Sequence, residues 1–323
     1  MSFPFIRYGG NFVPRQPYNI EGVNGYGFAA NGDQEKIQAL VDKTLNFRKS
    51  DLVYRVISPT VVFSFLKLNT LRSAEAEDAQ KGAYSETEFS VTILLAAGKH
   101  VAGLFIPERV VWYMPYLWLD SGTAMISGRE IYGYPKQYGK VNMPLSDGDP
   151  AVFGVSTEVI THFAPNARSS IQPLIGVHRT DAAALEYANG FEAIEDAVEG
   201  FLSEVMHLNL AELAAGTFIE VLTLHHLLSL VFLRQLPDIA DGSRASYQSI
   251  AEAPFEVTQF RGAGFLSGQY AIDINSHDSA PIATELGFEP ADGAQNARIT
   301  PHLGFHLDFD FRLEAGSEIW VAR

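Results

Sequence analysis

Lys136 follows Pro135 at the end of the segment Gly128-Arg129-Glu130-Ile131-Tyr132-Gly133-Tyr134-Pro135-Lys136. A lysine after a proline is ordinarily a solvated surface group, because burying an ammonium is costly. The neighbours of Lys136 argue otherwise. Tyr132, Tyr134 and Tyr138 flank it, and the almost wholly apolar run Val110 to Leu119 lies close upstream. An amine drawn out of water by such surroundings loses hydration, which disfavours its charged form and lowers its pKa. The neutral amine is a nucleophile able to condense with a ketone. Glu86 and Glu88 lie two residues apart in a strand-like stretch, so their carboxyl groups share a face. On their own they read as solvated strand-edge groups.

The elements that must position these residues are strands in the main. Asp33 to Leu45 opens with a capping residue and acidic side chains, then repeats apolar groups at helical spacing, which predicts an early amphipathic helix. From Asp51 to Ala97 the texture changes to short β-branched and aromatic runs such as Val61 to Leu66 and Phe89 to Leu94, which predict strands. The Val110–Leu119 run reads as a wall of the core. About residues 180–229 the composition turns helix-favouring, as in Ala182-Ala183-Ala184-Leu185-Glu186 and Phe191 to Val198. Strand texture returns after Pro237 and ends in Phe305 to Leu313, whose strict alternation places every large apolar group on one face. No repeat or low-complexity linker separates these parts. The chain is therefore expected to be a single domain over residues 1–323 carrying a helical insertion.

Composition narrows the function classes. The 323 residues carry 23 Lys and Arg against 38 Asp and Glu, a formal charge of −15, and no basic stretch suited to tracking phosphates, so nucleic acid is an unsuitable partner. With no cysteine, disulfides, thiolate metal sites and a cysteine nucleophile are excluded. Met1 to Pro17 lacks the apolar core of a secretory signal and reads as an irregular arm. The longest apolar stretch, Val221 to Leu233, holds His225 and His226 and is shorter than the roughly 20 residues a membrane span requires. These features predict a soluble protein, compatible with the cytoplasm. His306, Asp308 and Asp310 alternate along the last strand and could be imagined around a metal, but a solvated polar face is the simpler reading. His225 and His226 point in different directions on a helix and are read as structural. Gly9-Gly10 and Gly262-x-Gly264 lack the context of a nucleotide loop, and serine-hydrolase signatures are absent.

The Gly128–Lys136 segment resembles the Gly-Arg-Glu…Tyr/Phe-Pro-Lys signature of the acetoacetate decarboxylase family, in which the lysine after proline forms the imine. Gly82-Ala83-Tyr84-Ser85-Glu86-Thr87-Glu88 is similar to that family's Gly-x-Tyr-x-Glu stretch. Shorter similarities, Pro14 to Tyr18 and the pair Phe232–Pro237 and Ala253–Val257, extend the resemblance to both ends of the chain. It implies an α+β fold with an antiparallel, barrel-like β core and flanking helices. It also implies Lys136 as the Schiff-base lysine, Glu86 as the catalytic carboxylate with Glu88 still open, and a homo-oligomer. Tyr132, Tyr134, Tyr113 and Glu88 are the expected substrate contacts. No metal or organic cofactor is expected, since the imine itself is the electron sink.

Three positions depart from the family pattern. Gln137 stands where a second lysine follows the reactive one, Val23 where an active-site arginine is expected, and Ser64 near the place of a second glutamate. The expected substrate is a small keto acid, with decarboxylation of a β-keto acid as the leading reaction. Condensation and dehydration of a 2-keto acid such as pyruvate with an aldehyde, and non-catalytic binding of a small ligand, remain open alternatives.

Overall fold

The computed structural model describes residues 4–7, 12–48, 50–144, 152–181, 187–205, 228–290 and 294–322. Their strands are β1 (Tyr18–Asn31), β2 (Leu52–Ser73), β3 (Tyr84–Val101), β4 (Leu104–Leu119), β5 (Lys136–Asn142), β6 (Val152–Val159) and β7 (Ser170–Arg179). After these come β8 (Tyr187–Phe191), β9 (Leu228–Pro237), β10 (Ala245–Leu266), β11 (Tyr270–Ile274), β12 (Ala297–Ile299), β13 (Leu303–Leu313) and β14 (Ser317–Val321). The helices are α1 (Gln34–Thr44), α2 (Ala76–Ala79), α3 (Gly122–Ile131), α4 (Ile194–Gly200) and α5 (Ile282–Leu286).

Strands β1 to β4 pair in sequence order as an antiparallel meander. β4 then pairs in parallel with β9, β9 with β10, β10 with β13, and β13 with β1, so the hydrogen bonding returns to its start. This closed ring is the barrel-like core, and closure removes the exposed edges that an open sheet would present. A second row of strands, β5–β6–β7–β11–β12, leaves the ring through the parallel β4–β5 pairing and packs on its outer face.

Phe153 on β6 meets Tyr26, Phe28 and Phe65 of the ring at centroid distances of 5.3, 5.1 and 5.0 Å, in the tilted and edge-on arrangements that aromatic quadrupoles favour. Helix α1 closes part of the same core. Asp33 caps it by accepting the Glu35 and Lys36 backbone N–H groups, and Ile37, Leu40 and Val41 are buried.

Because the ring has a packed outside and a lined inside, β3 is buried without a break from Glu86 to Gly98. Phe89, Val91, Ile93 and Leu95 belong to the outer core, while Glu86, Glu88, Thr92 and Leu94 face inward to a cavity. β13 keeps the alternation expected of it, with Phe305, Leu307, Phe309, Phe311 and Leu313 on the cavity side. Its opposite face differs from the expected solvated one. His306 is buried 4.7 Å from the Tyr26 ring and 3.1 Å from Asn24, and Asp308 and Asp310 both pair with Arg261. Among the described residues no group of His, Asp and Glu is arranged to hold a metal.

The expected helical insertion is described in part. It opens as β8, which pairs with β10, and continues through α4 into a π-helical turn, Phe201–Val205. Residues 182–186 and 206–227, including His225 and His226, lie outside the described residues. Among the described residues no helix is long and apolar enough to cross a membrane.

The aromatic cluster yields a stability prediction. Phe65 is fully buried between Phe28, Phe89 and Phe153, and Phe65→Ala is expected to cost about 3–5 kcal/mol in urea unfolding. A loss below about 1 kcal/mol would show that the two layers do not depend on this contact.

Candidate active site

Helix α3 and the turn after it deliver Lys136. Ser121 caps the helix by accepting the Ala124 N–H, and the N–H groups of Tyr132, Gly133 and Tyr134 all converge on the carbonyl of Gly128. Gly133 sits at φ 84°, where an added Cβ would lie 2.6 Å from Arg234 Cα. A side chain there would meet both strain and backbone. The chain thus reverses within four residues and enters β5 with Lys136 registered against Leu117 of β4.

Two other motif residues act on the lysine directly. Arg129 Nη1 donates to the Lys136 carbonyl at 2.9 Å. Gly128 leaves room for the lysine stem: a Cβ there would stand 2.7 Å from Lys136 Cδ and 3.0 Å from Cε.

The lysine amine arrives beside β3. Lys136 Nζ lies 3.3 and 3.4 Å from the two carboxylate oxygens of Glu86 and 4.0 Å from Glu88 Oε2. All three side chains are buried, with exposures of 8%, 2% and 9% for Lys136, Glu86 and Glu88. The Tyr134 ring lies 5.2 Å from Nζ, within cation–π range. Tyr84 and Ser127 are in hydrogen-bond contact at 3.4 Å and line the same end.

Electrostatics here differ from the expected depressed lysine pKa. Burial does push the ammonium down, but Glu86, Glu88 and Tyr84 pull the other way and win, so the Lys136 pKa is raised above its ordinary value. The expectation counted apolar neighbours in sequence and not the two carboxyl groups that β3 brings to the same point. Glu88 shifts up as well. Burial and the Glu86 charge outweigh the help of Lys136 and hold its pKa at about 8. Near neutral pH the site therefore holds an ion pair, Lys136 with Glu86, next to a protonated Glu88. Burial also pushes the Tyr134 hydroxyl well above its ordinary value, so it stays a neutral phenol.

These groups occupy one end of a cavity of about 310 Å³ inside the ring. Tyr132 and Tyr134 line it, with the Tyr132 hydroxyl donating to the Glu314 carbonyl at 2.9 Å. Tyr113 is a correction. It faces the outer core, where its hydroxyl donates to Thr44 Oγ1 at 2.9 Å, because strand alternation turns its neighbours Trp112 and Met114 to the cavity instead.

Of the three departures, Gln137 is exposed on β5 and points away from Lys136. Val23 is buried in the apolar cluster with Leu68 and Leu71, and Ser64 lines the cavity. Sequence reasoning assigned no part to Tyr84, Ser127, Gly128 or Arg129. The Gly-Arg pair ahead of the lysine was the available signal, since a helix end folded back on its successor strand brings those positions together.

The family model described as acetoacetate decarboxylase (ADC) matches residues 4–164. Acetoacetate decarboxylase from Legionella pneumophila subsp. pneumophila str. Philadelphia 1 is similar over 99% of this chain and 93% of its own, with TM-score 0.61 and 14% identity. An acetoacetate decarboxylase-like enzyme from Sphingomonas wittichii RW1 is similar over 95% and 94%, with TM-score 0.53 and 14% identity. The enduracididine biosynthesis enzyme MppR, solved in complex with pyruvate, is similar over 96% and 92%, with TM-score 0.55 and 11% identity. At these identities the structural likeness is one of fold. No curated protein matches the sequence significantly. Residues 4–164 thus carry an acetoacetate decarboxylase family domain, and the fold of the whole chain is that of acetoacetate decarboxylase and decarboxylase-like structures.

Proposed function

We propose that the protein is a Schiff-base-forming lyase that decarboxylates a β-keto acid, with Lys136 as the imine-forming amine and Glu86 and Glu88 as the groups that move protons. The carrying observation is a buried lysine amine 3.3 Å from one carboxylate and 4.0 Å from a second, at the end of an apolar cavity. The reading includes one domain over residues 1–323 and a homo-oligomer.

The raised lysine pKa sets the first step. An incoming substrate carboxylate disfavours a second carboxylate beside it, and the proton of Lys136 passes to Glu86, leaving a neutral amine and a neutral acid in a site that penalises charge. The amine adds to the ketone. Glu86 returns its proton to the carbinolamine oxygen, which leaves as water and gives the iminium. The carbon–carbon bond to the carboxylate then breaks, its electron pair moving into the iminium to form an enamine as carbon dioxide departs. Protonated Glu88 donates to the enamine carbon, and water releases the ketone and restores the amine.

Decarboxylation is favoured over condensation of a 2-keto acid, although MppR was solved in complex with pyruvate, a 2-keto acid. A condensing enzyme must hold its substrate's carboxylate throughout. Among the described residues lining this cavity Lys136 is the lone cation, and Val23 fills the place expected of an arginine.

Borohydride reduction in the presence of a β-keto acid is expected to add the mass of the reduced ketone to Lys136, and Lys136→Ala is expected to abolish both the adduct and carbon dioxide release. Absence of an adduct with every keto compound tried would make the protein a non-catalytic binder. Glu88 must be protonated to act as the acid, so turnover is expected to fall as pH rises through about 8. Glu88→Gln should remove that limb from the pH profile while lowering kcat by about a hundredfold or more; an unchanged limb would assign it to another group. In Gly128→Ala the new methyl must displace the lysine stem, and trapping is expected to slow on the order of a hundredfold with the fold intact by circular dichroism.

A further inference from the structure

We infer that the substrate of this site carries a long apolar tail, making it a medium-chain 3-oxo acid and not a four-carbon one. The inference rests on the Lys136 reading above. The reaction would be R–CO–CH2–COO⁻ plus a proton giving R–CO–CH3 and carbon dioxide, so the product is a methyl ketone.

On β3 the cavity is lined by Glu86 and Glu88 beside the lysine and, further along, by Thr92 and Leu94. Eight residues separate Glu86 from Leu94, a strand length of about 26 Å, or about 20 Å along the barrel axis once a tilt of about 40° is allowed for. Leu94 is registered against Trp112. Trp112 in turn lies 5.4 Å from Phe201, which lies 5.3 Å from Phe305. Phe201 and Leu202 belong to the π-helical turn that follows α4, so the described part of the insertion supplies the end of the cavity opposite Lys136.

The chemistry of the lining changes along this length. The polar side chains gather at the lysine end. Beyond them the described lining offers the small hydroxyls of Ser64 and Thr92 and is otherwise hydrocarbon and aromatic, including Val62, Leu66, Leu307 and Phe309. Such a surface gives a second charged group nothing to pair with but suits methylene groups.

Size points the same way. The cavity of about 310 Å³ holds about ten groups the size of a water molecule at about 30 Å³ each. Acetoacetate would fill a minor part of it and leave apolar wall without contacts, which forfeits dispersion and hydrophobic gain. A tail running from the iminium toward Phe201 would fill it.

The test is a chain-length series, from acetoacetate through 3-oxohexanoate and 3-oxooctanoate to 3-oxodecanoate, read as kcat/KM for carbon dioxide release and as borohydride adducts on Lys136. Each added methylene is expected to raise kcat/KM about fourfold until the cavity is full, a gain of more than a thousandfold across the series. Leu94→Trp, which fills the far end, is expected to move the optimum to shorter chains. Val62→Phe does the same from β2 should Leu94→Trp fail to fold. A flat or falling series with adducts still forming on Lys136 would overturn the long tail and leave the lyase reading standing. Should no length form an adduct, the lyase reading fails, and calorimetric titration with 2-pentanone and 2-undecanone decides the tail. Tighter binding of 2-undecanone upholds an apolar-tailed ligand, and equal or absent binding overturns it.

Discussion

An ammonium removed from water must be met by a carboxylate or give up its charge, and the pairing of Lys136 with Glu86 is the constraint around which this fold is arranged. The two residues reach each other from different elements, one at the first position of β5 and the other near the start of β3, fifty positions apart. Holding them at 3.3 Å requires that β5 leave the barrel at a fixed place. The parallel register of Lys136 with Leu117, the Arg129 bond to the Lys136 carbonyl and the bare surface of Gly128 all serve that placement. Removing one partner of such a pair leaves the other charged and buried, which typically costs about 3–5 kcal/mol. The motif around the lysine accordingly has a structural part to play whatever its chemistry.

The same demand explains why β3, which carries both carboxyl groups, is buried on both faces from Glu86 to Gly98. A dry interior needs closure, and closure here uses one parallel contact, β4 to β9, to join two antiparallel stretches. On the outside of the ring, the second row of strands and α1 cover the part from which β3 presents its other face. β3 therefore places Phe89 and Val91 outward into a packed core while Glu86 and Glu88 look inward. Glu86 and Glu88 are the ionisable exceptions in the buried run from Glu86 to Gly98.

How much of this could be read in the amino acids depended on whether a strand had one wet face. Helix α1 was legible because Asp33 and the spacing of Ile37, Leu40 and Val41 mark a cap and a stripe. β13 was legible because its apolar and polar residues alternate, although burial of His306 against Tyr26 depended on β1 lying alongside. β4 carried no such signal. Its Val110–Leu119 run is apolar on both sides, so nothing local decided that Trp112 and not Tyr113 would face the cavity. The burial of Lys136 followed from its motif, whereas the direction of its pKa did not. That direction is set by the meeting of β3 with β5, a contact between distant segments that composition around the lysine cannot report. The ring itself was illegible for the same reason, since its closing contact pairs Val111 with Ser229.

Two carboxyl groups on one strand face, two residues apart, would ordinarily repel and share one fate. Here their surroundings separate them. Glu86 lies nearer the ammonium and forms the ion pair, while Glu88, further away and facing the Glu86 charge, holds its proton to about pH 8. A single strand face thereby presents an ion-paired carboxylate and a protonated carboxyl group to one nitrogen, at 3.3 and 4.0 Å, an arrangement suited to acid–base chemistry near neutral pH. In the proposed reaction the acceptor frees the amine and the donor quenches the enamine, so the raised lysine pKa favours the cycle. It keeps the amine protonated and paired until a substrate carboxylate arrives to displace the balance. A lysine held neutral by desolvation alone would need no such trigger, and it would leave the nearer carboxylate buried without a partner.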